Sequence, residues 1–83
     1  MQGFLDIILT PGLTPIIFSA RGLQIFKPVG VRINVYYDAA KTQKAFAIPS
    51  DVQYYTAQNI NISGELYFEN PSNNQINLLI NIL

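Results

Sequence analysis

The chain has no cysteine, no histidine, no tryptophan and a single methionine. Charge is scarce as well. Its 83 residues carry five Lys+Arg and five Asp+Glu, 12% of the total, with a net charge of zero. A soluble domain of average composition has about 25% charged residues. Each shortage excludes something. Without thiol or imidazole groups the usual ligands of zinc, copper, haem and iron–sulfur clusters are missing, so no metal or other cofactor is expected. The Ser-His-Asp and Cys-His nucleophile arrangements are missing too, and no disulfide can form. Five scattered basic residues in a neutral chain argue against nucleic acid as the main partner. The five glycines, at 3, 12, 22, 30 and 64, never approach the spacing of a phosphate-binding loop. No run approaches 18 uninterrupted apolar residues, so no transmembrane segment is expected. The N-terminal apolar run is broken by Asp6, Pro11, Gly12 and Pro15 and lacks the positive start of a signal peptide.

What is present is apolar residues, 49% of the chain, arranged with a period of two. Val29, Val31, Ile33, Val35 and Tyr37 alternate with Gly30, Arg32, Asn34 and Tyr36. Ile60, Ile62, Gly64, Leu66 and Phe68 alternate with Asn59, Asn61, Ser63, Glu65 and Tyr67. Ile76, Leu78, Ile80 and Ile82 alternate with Asn77, Leu79, Asn81 and Leu83. Each pattern reads as a strand with one buried face. Shorter apolar segments, Phe4 to Leu9, Ile16 to Ala20, Leu23 to Phe26, Ala45 to Ile48 and Val52 to Thr56, supply the remaining strands. Arg21-Gly22 suits a tight hairpin turn and Pro49-Ser50-Asp51 a second turn. Thr10 to Pro15 and Asn70 to Asn74 read as loops, and Asp38 to Lys44 as a loop or short helical turn. Nothing else reads as helix. Seven to eight short strands predict one all-β domain over residues 1–83. A small antiparallel β-sandwich of jelly-roll type is favoured, with a compact β-barrel as the alternative.

Such a chain has little stability to spare. Burial of apolar surface contributes about 130 kcal/mol, and ordering 83 residues costs about 125 kcal/mol. With no disulfide and no metal ligands, self-association or docking on a partner is the remaining device.

The five carboxylates do not read as catalytic. Asp38 and Asp51 fall at strand ends or turns, where Asp serves backbone N–H groups. Glu65 and Glu69 fall on an outer strand face, and Asp6 reads as an exposed charge guarding an edge strand, with a buried pair to Arg32 or Arg21 as the alternative. The five basic residues read as solvated charge. Asn61-Ile62-Ser63 fits the N-glycosylation pattern but reads as a polar strand face. No enzymatic activity is expected.

The tyrosines carry more information. Neighbours in a strand point to opposite faces, so the phase puts Tyr37 and Tyr54 inward and leaves Tyr36 and Tyr55 outward. With Tyr67, these give three tyrosines on one exposed sheet surface, suited to cross-strand aromatic pairing that stiffens the sheet, to a protein interface or, with Asn34 and Asn61, to a sugar. Gln75 to Leu83 has no charged side chain and high β-propensity. It is either a central strand or an edge that pairs with another chain. Its outward positions, Asn77, Leu79, Asn81 and Leu83, join Tyr36, Tyr55 and Tyr67 as interface candidates.

The function expected is therefore a non-enzymatic structural subunit of a large assembly, a virus or phage capsid protein or another virion component. Its partners would be copies of itself or neighbouring structural proteins, and it would reside in the virion, assembled in the host cytoplasm. Eight asparagines and six glutamines fit that role, because neutral amides cross an interface without the desolvation cost of charges. The alternative is a small cytoplasmic glycan-binding or adaptor module.

Overall fold

The structure, a computed structural model, describes residues 3–57 and 62–82. Eight strands follow one another: β1 (Gly3–Leu9), β2 (Gly12–Ala20), β3 (Leu23–Phe26), β4 (Ile33–Tyr36), β5 (Lys44–Ile48), β6 (Tyr54–Ala57), β7 (Ile62–Asn70) and β8 (Ile76–Ile82). Among the described residues no helix is long and apolar enough to cross a membrane.

Every pairing is antiparallel. β1 pairs with β8, β2 with β7, β3 with β6 and β4 with β5. Two further pairings, β3 with β8 and β4 with β7, join these ribbons into sheets ordered β1-β8-β3-β6 and β2-β7-β4-β5. The chain is thus one long two-stranded ribbon whose successive segments alternate between two packed sheets. This is the eight-stranded jelly roll.

The alternating residues meet between the sheets. Leu9, Leu23, Ile25, Ile33, Val35, Ile48, Leu66, Phe68, Ile76, Leu78 and Ile80 form the buried core. Phe46 of β5 stacks on Tyr55 of β6 across the gap, with ring centroids 5.4 Å apart, and closes one side of the sandwich. The accessible surface is 4958 Å², close to the roughly 5,000 Å² that size scaling gives a folded chain of this mass.

Several expectations need correcting. Arg21-Gly22 does not turn a hairpin. It carries the chain from β2 in one sheet to β3 in the other, and only β4 and β5 are consecutive strands that pair. Pro49-Ser50-Asp51 does turn the chain, with Val52 N donating to Pro49 O at 3.3 Å, and this turn passes between the sheets; Ser50 O accepts a hydrogen bond from Gly30 N at 2.8 Å. Gly30 has φ +95°, a left-handed conformation that glycine tolerates best. Its turn stops the extended chain short of Val29, so β4 is only four residues long. β2 begins at Gly12, not Ile16, and runs through Pro15, which an edge strand accommodates because its missing N–H faces outward. β8 lies between β1 and β3. The uncharged C-terminal strand is therefore central, and its backbone edges are both used. Asp6 is exposed on the edge strand β1, as its charge suggests.

Candidate functional site

Asp38 organises the β4–β5 loop. Its carboxylate accepts from Thr42 N at 3.0 Å, from Gln43 N at 3.0 Å and from the Thr42 hydroxyl. The Thr42 bond and then the Gln43 bond hold its carboxyl below the usual aspartate range. The loop forces Lys41 to φ +61° and aims its ammonium at Glu69 on β7. Lys41 Nζ donates to Glu69 Oε2 at 2.5 Å, while Asn34 Nδ2 at 3.2 Å and the Tyr36 hydroxyl at 3.3 Å donate to Oε1. Arg32 donates in turn to Asn34 Oδ1 at 3.2 Å. The Lys41 bond first, then that of Asn34, keeps Glu69 below the ordinary glutamate value. The same bond raises Lys41.

That network lies on the outer face of the β2-β7-β4-β5 sheet. Tyr36 and Tyr67 are cross-strand partners on this face, both half-buried. Glu65 is exposed beside Ile17, which is 75% exposed on the edge strand.

The opposite outer face, on the β1-β8-β3-β6 sheet, is different in kind. Its registers align three rows across the strands. One row holds Asp6, Leu79, Phe26 and Tyr54; the next holds Phe4, Asn81, Gln24 and Thr56; the third holds Ile8 and Asn77. Of the eight large hydrophobic side chains exposed among the described residues, Phe4, Ile8, Phe26, Tyr54 and Leu79 lie here, with Phe4 65% and Leu79 36% exposed. Asp6 is its single charged side chain among the described residues. The Phe26 and Tyr54 rings touch at 4.9 Å between centroids. Asn81 Nδ2 donates to Gln24 Oε1 at 2.8 Å, and Asn81 Oδ1 is buried with no partner among the described residues. A contiguous apolar face of this kind, flanked by neutral amides, marks an interaction site more often than a solvated surface.

The interface candidates thus divide. Tyr36 and Tyr67 share one outer face. Asn77, Leu79 and Asn81 share the other. Tyr55 faces inward against Phe46, and Tyr54 is the outward member of its pair. A bend at Gln53 separates Val52 from β6, so counting phase from Val52 inverts the pair. Tyr37 is also exposed rather than inward. β4 ends at Tyr36, after a register shift between Val35 and Tyr36, so strand alternation no longer applies. Leu83 and Asn61 lie outside the described residues. Strand phase did not single out Phe4, Ile8 or Phe26, and it turned Tyr54 inward. The signal for the first two was present, because Phe4 and Ile8 bracket Asp6 on the same strand phase.

No family model, curated protein or solved structure matches the chain. Among the described residues no three His, Cys, Asp or Glu side chains gather where they could hold a metal ion.

Proposed function

We propose that the protein is a non-enzymatic structural subunit of a large assembly, a capsid or other virion component held by protein–protein contacts. One observation carries the reading: the apolar outer face of the β1-β8-β3-β6 sheet, with five exposed large hydrophobic side chains and one charge among the described residues. Capsid proteins, lectins and cupins all use the jelly roll, so the fold alone does not choose among them. An apolar face on a chain with little stability to spare supports the first. Covering it adds the burial that so small a sandwich lacks. Material recovered from the cells that produce the protein tests the reading. It is expected to sediment as a particle holding many copies. Recovery as a free monomer would overturn the assignment.

A second reading rests on the other outer face. Tyr36 and Tyr67 lie side by side with Asn34, an arrangement suited to stacking and hydrogen bonding a sugar. Glu69 supports it less, because three protein donors already occupy its carboxylate. A glycan array tests it: binding lost in Tyr36→Ala and Tyr67→Ala supports the reading, and an array without binders removes it.

A further inference from the structure

We infer that the outer face of the β1-β8-β3-β6 sheet pairs with the same face of a second copy, about a two-fold axis that runs parallel to the strands between β8 and β3. This rests on the structural-subunit reading and names the partner the face takes.

The registers make the face self-complementary about that axis. A two-fold rotation of this kind lays β8 over β3 and β1 over β6 of the other copy, and each residue stays in its own row. Leu79 then stands over Phe26 of the partner subunit, and Phe26 over the partner's Leu79. Asn81 stands over Gln24, two neutral amides that can exchange hydrogen bonds. Asp6, the one charge on the face, stands over Tyr54, the one phenol, whose hydroxyl can donate to a carboxylate. Every contact occurs twice, as an isologous interface requires.

Other arrangements of two copies lack this match. An in-plane two-fold perpendicular to the strands, along the middle row, sets Asp6 against Asp6. So does edge-to-edge pairing of two β1 strands in full register, because Asp6 is the centre of Gly3–Leu9. Like charges placed opposite each other are destabilising.

Size and charge agree with a second copy. Two strands of seven residues, about 23 Å each, and two of four, about 13 Å each, lie about 4.8 Å apart and give a footprint of about 350 Å². With side-chain relief, two copies would bury on the order of 1,000 Å², the size of a weak, reversible interface. Zero net charge puts no long-range repulsion between copies.

The chain has no cysteine, so introduced thiols are the only ones, and a short bismaleimide can map the pairing. In the inferred dimer Asp6 lies opposite Tyr54 of the other copy, whereas the two Asp6 positions are three strand spacings apart across the axis. A mixture of the D6C and Y54C proteins is expected to cross-link about tenfold faster than either protein alone, because pairing sets the effective concentration. Faster cross-linking of D6C with itself would overturn the pairing. So would a mixture no faster than D6C with I17C, whose thiol lies on the other sheet. Sedimentation velocity provides the second measurement. L79K and F26K, with the sandwich verified by circular dichroism, are expected to weaken the dimer at least about 30-fold, while I17K leaves it unchanged. A protein that sits in a particle but shows no Asp6–Tyr54 preference loses this pairing and keeps its structural role. A folded monomer at hundreds of micromolar that is found in no particle loses both.

Discussion

Asn70 is 2% exposed, and each polar atom of its side chain is used. Nδ2 donates to Leu9 O at 3.0 Å and to Asn74 O at 2.8 Å, while Oδ1 accepts from Ser72 N at 3.0 Å and Ser72 Oγ at 2.8 Å. One side chain therefore fixes the β7–β8 loop and ties it to the end of β1. Asn70→Ala removes these partners inside the fold and is expected to cost about 2–3 kcal/mol in urea unfolding. Asn70→Asp, which loses the donors and buries a charge, is expected to cost more. Lys41 combines two opposing effects. Its ion pair with Glu69 holds the loop, but its left-handed backbone disfavours any residue with a Cβ. Lys41→Gly and Lys41→Ala lose the same ion pair, and the glycine variant is expected to melt about 4 °C higher because it relieves the backbone. The pH dependence follows from Glu69 and Asp38. Both carboxyls sit below their ordinary values in the folded chain. Their contribution is complete above the ordinary values of 4.5 and 3.8 and is lost as pH falls through the lower folded values. Lys41, raised above 10.5, loses its contribution only as pH rises past that point. Stability should therefore decline below pH 4.5, and Glu69→Gln should flatten part of that decline in an acid titration followed by circular dichroism.

Edge strands show how the elements manage exposed backbone. β1, β6, β2 and β5 are the four edges. β1 places Asp6 at its centre, and β2 places Pro15 in mid-strand. Proline within a paired strand must turn its nitrogen away from the partner, so Pro15 leaves the open side of β2 one donor short. Pro15→Val restores that donor and adds a β-branched side chain. It is expected to leave the unfolding free energy within about 0.5 kcal/mol while increasing fibril formation in a dye-binding assay, since a continuous edge templates another chain. The same residue shows where sequence patterning ran out. Residues 10–15 read as a loop because proline and glycine punctuate chains, and nothing local tells an edge strand from a loop. Alternation was legible wherever a strand stayed straight: Ile33–Tyr36 and Ile76–Ile82 put the expected side chains inside. It failed at Tyr37 and at Tyr54-Tyr55, where a register shift and a bend reset the phase. Which strands pair was not legible, because every pairing except β4 with β5 joins segments far apart in sequence. The apolar face was half legible. Leu79 stood out on an uncharged strand, but Phe26 and Tyr54 join it only once β3 and β6 lie alongside β8.

At the scale of the whole molecule, the ribbon topology orders the folding steps. β4 and β5 close a loop of seven residues (37–43), β3 and β6 one of 27 (27–53), and β1 and β8 one of 66 (10–75). Closure entropy grows with the logarithm of loop length, so the outermost pair costs about 2 kcal/mol more to close than the innermost if each forms from the open chain. The cost falls when the inner pairs are already in place, because each then shortens the loop that remains. The cheapest route zips from the β4–β5 hairpin outward, and the transition state should contain that hairpin with the strands stacked on it, while β1 and β8 join late. Two conservative truncations separate the ends of the ribbon. Ile48 on β5 pairs with Ile33, and Ile80 on β8 pairs with both Leu5 and Ile25; both isoleucines are fully buried. Ile→Val at either site should cost about 1 kcal/mol, enough to measure a φ value. Stopped-flow refolding at low protein concentration, where the monomer dominates, is expected to give φ above about 0.5 for Ile48→Val, which slows folding. It should give φ below about 0.3 for Ile80→Val, which mainly speeds unfolding. The reverse order would mean that the outer ribbon, with the apolar-faced sheet it belongs to, forms first, and that local closure does not set the path.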